Sequence, residues 1–144
     1  MEILDLTGAY LVTVAKSGSL EEYEKSFPGL FEHYFRFWAP REKFRVILDE
    51  SAVAERRQAM LCKLPVIAER FTSKGLDLSG ISVVLFVGQD TSNGHVFFQD
   101  GKWYVWLPIE TYVTETQNDD NSAIQTLEAL QKMRLAEKKR LHML

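Results

Sequence analysis

Apolar residues change their spacing near Leu78, and the change divides the chain into a helical part and a sheet part. Glu2 to Leu6 alternate weakly, as a short strand would. Thr7 can cap a helix over Gly8 to Lys16, with Gly18 in the stop position, although β-branched Val12, Thr13 and Val14 also suit a strand. Ser19-Leu20-Glu21-Glu22 reads as a capping box opening a short helix to Ser26. Pro28 suits a first helical turn, because its φ is already helical and its missing N–H has no intrahelical duty there. Leu30, Phe31, Tyr34, Phe35 and Trp38 then recur at helical spacing as one apolar stripe. Pro40 restarts the pattern. Phe44, Ile47 and Leu48 lead into Met60, Leu61, Leu64, Ile67, Ala68 and Phe71, with Pro65 inside the stretch, so that it is either one kinked helix or two. Lys74 and Gly75 are a basic last turn and a glycine stop.

Past Leu78 the texture is that of a sheet. Ile81 to Val87 is a nearly unbroken β-branched and apolar run between Gly80 and Gly88, as in a strand covered on both faces. A polar loop, Gln89 to Gly94, leads to His95–Gln99, then Asp100-Gly101, then Lys102 to Leu107. Asp-Gly between aromatic-rich runs predicts a hairpin with a type I′ turn. A two-residue loop fixes the register: Gln99 opposite Lys102, Phe98 opposite Trp103, Phe97 opposite Tyr104, Val96 opposite Val105 and His95 opposite Trp106. Val96, Phe98, Trp103 and Val105 then share a face expected to be core. His95, Phe97, Tyr104 and Trp106 share the other, with Gln99 and Lys102 near the turn. Pro108 ends the strand. Ser122-Ala123-Ile124-Gln125, preceded by Asp119 and Asp120, starts a final helix toward Leu144 with Ile124, Leu127, Leu130 and Met133 along one side.

The expected fold is therefore α+β: N-terminal helices packed on a small mixed sheet with an Asp-Gly hairpin, followed by a C-terminal helix. One domain of residues 1–144 would comprise a mainly helical layer (1–77), the sheet (78–113) and the closing helix (122–144).

Composition narrows the chemistry. A 144-residue chain, 46% hydrophobic and 26% charged, can bury a core without staples. A net charge of −3 lacks the basic excess of a nucleic-acid binder. The apolar run at Val83 to Val87 is too short to span a bilayer, and the opening Met1-Glu2 lacks a leader's basic flank. Cys62 is the one cysteine, so no disulfide can form within the chain, and a reducing, cytoplasmic setting is expected. His33, His95 and His142 form no His-Glu-x-x-His pattern, so no metal cofactor is expected unless these residues converge with carboxylates. Cys62 lies on a helical stripe, and no Gly-x-Ser-x-Gly elbow or phosphate-cradling glycine pattern occurs. No catalytic residue is assigned. Tyr and Trp combine apolar area with a polar tip, so His95, Tyr104 and Trp106, with Asn93 in the adjoining loop, are the candidate binding residues.

Some stretches carry a family resemblance. Val84-Leu85-Phe86-Val87-Gly88, Ser92-Asn93-Gly94-His95-Val96-Phe97, Asp100-Gly101-Lys102 and Val105 to Thr111 resemble the region ahead of the active-site helix in bacterial zinc metallopeptidases of the gluzincin type. Phe31-Glu32-His33-Tyr34-Phe35 with Trp38 is similar to their helical N-terminal part. The resemblance implies a helix-plus-sheet half domain in which a strand borders the cleft and pairs with extended peptide. It also implies a following helix bearing His-Glu-x-x-His. Here the helix from Ser122 carries no histidine before His142, so zinc ligands and general base are missing from that position. The expected function is thus a non-catalytic, metallopeptidase-like domain that binds a protein or peptide partner or assembles with itself, since uncovered apolar surface is commonly paired in an oligomer. The alternatives are a metal-dependent hydrolase completed by another chain and a small acidic interaction or immunity-type protein.

Overall fold

The computed structural model describes residues 1–17, 20–37, 49–73, 75, 77–88, 95–109, 128, 131, 132, 134–136 and 139. Four strands form one mixed sheet in the order β1-β2-β4-β3: β1 (Glu2–Asp5), β2 (Ile81–Phe86), β3 (His95–Gln99) and β4 (Lys102–Pro108). β1, β2 and β4 run parallel, and β3 returns antiparallel to β4. Between β1 and β2 lie α1 (Thr7–Val12), α2 (Val14–Ser17), α3 (Leu20–Glu24), α4 (Pro28–Phe37) and α5 (Glu50–Ser73). The architecture is α+β, and the helical residues described between Glu128 and Lys139 mark a C-terminal helix. Phe44, Ile47, Leu48, Trp38, Asn93 and the capping residues Ser19 and Ser122 lie outside the described residues.

The helix expected over Gly8 to Lys16 is broken at Thr13, whose backbone leaves the helical region (φ −112°, ψ −81°). Its hydroxyl donates to the Ala9 carbonyl at 2.5 Å, alongside its own N–H at 3.1 Å. A threonine that back-bonds in this way, with valines on both sides, bends a helix. Pro65 divides nothing: α5 runs through it as one helix. Its start is set by Asp49, whose carboxylate accepts from the Ala52 N–H at 2.8 Å. Gly75, at φ +79°, ends the turn after α5 with its N–H on the Thr72 carbonyl.

All six residues of β2 are buried, as a run without alternation requires. The hairpin register is realised pair by pair, and both turn residues have positive φ, 52° at Asp100 and 78° at Gly101. The helices sort onto the two faces. On the side of Val84, Phe86 and Trp106 sit α3 and α4: Tyr34 meets Phe86 at 5.3 Å and Trp106 at 5.8 Å, and Phe31 meets Phe86 at 5.8 Å between centroids. Edge-to-face aromatic packing of this kind adds to simple area burial. On the other side, Arg57 of α5 reaches Asp5, in a stripe otherwise made of buried Val53, Met60, Leu64, Ile67 and Phe71. Helices and strands share one buried cluster extending from Tyr10 to Ile109.

The described C-terminal helix meets the turn ahead of β2. Arg134 Nη1 and Gln131 Nε2 both donate to the Asp77 carbonyl, at 2.7 and 3.4 Å.

Candidate functional site

The structure separates the sequence candidates. Asn93 lies outside the described residues. His95 opens β3 opposite Trp106. Tyr104 is half-buried, stacked on Phe97 at 5.0 Å and met edge-on by Phe27 at 5.2 Å. Trp106 is only 1% exposed, enclosed by Tyr34, Phe86, Phe97 and the His33 ring. It therefore belongs to the core, because α4 lies across that face. His33 itself is exposed, with its ring 5.6 Å from Trp106.

The face expected to be core splits in the opposite sense. Val105 is fully buried, but Phe98 is 56% exposed and Val96 and Trp103 only partly covered. The reason is strand order. β4 lies inside the sheet and is covered on both sides, whereas β3 is an outer strand. The Phe98 ring packs on Trp103 at 5.0 Å, and the two form an aromatic ledge at the sheet margin.

Beyond β3 no further strand follows among the described residues. A two-residue type I′ loop makes Gln99 and Lys102 a hydrogen-bonded pair. Alternation along an antiparallel ladder then points the N–H and C=O of Val96 and Phe98 away from β4, toward the outside. β3 reads His-Val-Phe-Phe-Gln and holds no lysine, proline or acid, the usual devices that blunt an outer strand. The opposite margin, β1, has only four residues and an acid at each end, Glu2 and Asp5. Sequence reasoning missed the β3 margin because it paired the hairpin correctly without deciding which of its strands faced β2.

The carboxyl ends of the parallel strands, a common ligand position in α/β sheets, hold a closed polar cluster. Asp5 Oδ1 accepts from the Thr7 N–H at 3.0 Å and its hydroxyl at 2.5 Å, and Oδ2 accepts from Arg57 Nε. Burial alone would raise the Asp5 pKa, but hydrogen bonds from Thr7 and Arg57, with the Arg57 charge, outweigh it and hold the carboxyl below its ordinary range. These bonds tie β1 to α1 and α5. Nearby, buried Tyr23 donates its hydroxyl proton to the Val87 carbonyl at 2.7 Å and accepts the Val87 N–H at 2.9 Å.

Open hollows of about 260 to 360 Å³ lie at Glu2, Ser82 and Lys102, along α5 at Cys62 and Arg70, and between α3 and α4 at Glu24 and Glu32. Among the described residues no group of three or more His, Cys, Asp or Glu side chains could hold a metal ion, and no helix is long and apolar enough to cross a membrane.

Comparison with family profiles, with curated proteins and with solved structures finds no match to this chain. The gluzincin-type reading therefore rests on the residues quoted for it.

Proposed function

We propose that this chain is a non-catalytic binding domain, resembling the part of a zinc metallopeptidase that precedes its active-site helix, and that it acts by strand addition at β3. The observation that carries the reading is the outer position of an uncharged β3, with the hydrogen-bonding groups of Val96 and Phe98 directed outward. A strand added there gains main-chain hydrogen bonds from those residues and apolar contact from the ledge of Phe98 and Trp103. The gluzincin-type resemblance supports the same use, since a strand of that family's sheet pairs with extended peptide.

The test is amide chemical-shift mapping on isotope-labelled protein with a pool of unstructured, alternately apolar peptides. Binding shifts the Val96 and Phe98 amides and slows their hydrogen exchange. Phe98→Pro removes one outward N–H while leaving the β3–β4 ladder intact, and it abolishes that protection. Phe98→Ala, which keeps the N–H, weakens it only in part. Peptides that shift amides elsewhere, or that leave unchanged a protein whose Val96 and Phe98 amides exchange freely at every concentration, refute the reading.

A further inference from the structure

We infer that the occupant of the β3 margin is a second copy of the same chain, paired antiparallel about a two-fold axis at Phe97; this rests on strand addition at β3 as proposed above.

The outward-facing residues make the strand self-complementary. Val96 and Phe98 lie symmetrically about Phe97. An antiparallel partner centred on Phe97 sets Val96 opposite the partner's Phe98, and Phe98 opposite the partner's Val96. Each such pair exchanges both N–H···O=C bonds, so every outward group of the strand's interior is used. Centring on Phe98 instead would place Val96 opposite Asp100, whose φ of 52° belongs to the turn and cannot continue a ladder. The side chains agree with this register. Val96 against Phe98 is a β-branched residue against an aromatic one, a favourable cross-strand combination. Phe97 meets Phe97 at the axis.

Charge agrees as well. No like charges meet along the five-residue strand, whereas two copies paired through β1 would each bring the acids Glu2 and Asp5 to the seam. A two-fold axis normal to the sheet keeps each face continuous, and the two four-stranded sheets become one. The buried area sets the strength. A five-residue strand pair buries below the roughly 1,200 Å² of stable complexes, so the dimer is weak and concentration-dependent.

The register makes the test specific. At a non-hydrogen-bonded pair the Cα atoms lie about 4.5 Å apart, within disulfide range. In a Cys62→Ser background, which removes the exposed native thiol, Phe97→Cys therefore forms a covalent dimer under mild oxidation at least about tenfold faster than Val96→Cys or Phe98→Cys, whose like residues do not face each other. The unmodified protein supplies a second readout, independent of how the cysteine variants fold. Its sedimentation mass rises between about 5 µM and 1 mM, and exchange of the Val96 and Phe98 amides slows over the same range. A constant mass with unchanged exchange, and equal cross-linking of the three variants, overturns the second copy. If added peptide then still protects Val96 and Phe98, strand addition stands with another partner; if it does not, both readings fall.

Discussion

Removing the Tyr23 hydroxyl is the sharpest test of how the sheet is held at the carboxyl end of β2. The Tyr23 ring is fully buried against Tyr10 and Phe31, and Tyr23→Phe keeps those contacts. What the substitution removes is the hydroxyl that caps both the N–H and the C=O of Val87, itself fully buried. A hydrogen bond contributes about 1 kcal/mol net, and a buried group left unsatisfied costs about 1–3 kcal/mol. Two such groups on one residue, with some relaxation, place the loss at about 2–4 kcal/mol. With a urea m-value of about 2 kcal/mol per molar, the midpoint falls by roughly 1–2 M with m unchanged. The loss should also be local first: the Val87 amide exchanges faster under native conditions, while amides in the middle of β4 keep their protection. A midpoint shift below about 0.3 M, or a Val87 amide as protected as before, refutes the claim that this hydroxyl secures the end of β2.

Further predictions test the other ties. Asp5→Asn loses a salt link and weakens the turn into α1, and the side chain is 24% exposed, so the cost at neutral pH is about 1–2 kcal/mol by urea unfolding. Because folding lowers the Asp5 pKa, that contribution is fully present above its ordinary 3.8, declines as pH falls toward the folded value, and is gone below it; the gap between protein and variant closes in acid over that window. Trp106→Ala costs about 3–5 kcal/mol, whereas a side chain lining an open groove would cost far less, so a calorimetric loss under about 1 kcal/mol contradicts its place in the core. A Cβ at Gly29 would overlap the Gln99 carboxamide, the free end of a flexible side chain that swings aside, so Gly29→Ala changes stability by less than about 1 kcal/mol; a larger loss in urea unfolding would mean that Gln99 is held in place there.

Local signals carried much of this fold. Pro28 starts α4, Gly75 stops the turn after α5, and Asp100-Gly101 sets a turn whose register follows from loop length alone. These features depend on backbone preferences within a few residues, so they are legible wherever they occur. The break at Thr13 was less legible, because three β-branched residues there suit either a helix or a strand, and a hydroxyl back-bond within α1 decided it. Pro65 was open for a related reason. A proline costs a helix one hydrogen bond, and the buried stripe from Val53 to Phe71 supplies enough packing on both sides to carry the helix through.

The candidate site was less legible because exposure depends on strand order, which no single hairpin determines. Register says that Phe98 shares a face with Val105, and it does; it does not say that one is exposed and the other buried. A usable signal was nevertheless present. β4 contains the long apolar run Trp103 to Leu107, the pattern that marked β2 as covered on both faces, while in β3 the run is shorter, Val96-Phe97-Phe98, and is bounded by His95 and Gln99. Two runs of that type belong side by side inside a sheet, which sends β3 to the outside and uncovers Phe98. Trp106 leaves the list of surface candidates by the same step, since a strand beside β2 shares its helical cover. The outward groups of Val96 and Phe98 thus follow from the composition of the neighbouring strand, and a charge placed there tests the consequence. Val96→Lys puts an edge-blunting residue at the proposed seam, on a side chain only partly covered, and should leave unfolding within about 1 kcal/mol of the parent. The same change should abolish the concentration-dependent protection of the Phe98 amide, because each introduced lysine then lies opposite the partner's Phe98 and its charge is brought to an apolar seam. Protection that survives Val96→Lys would mean that β3 is shielded by something other than a paired strand.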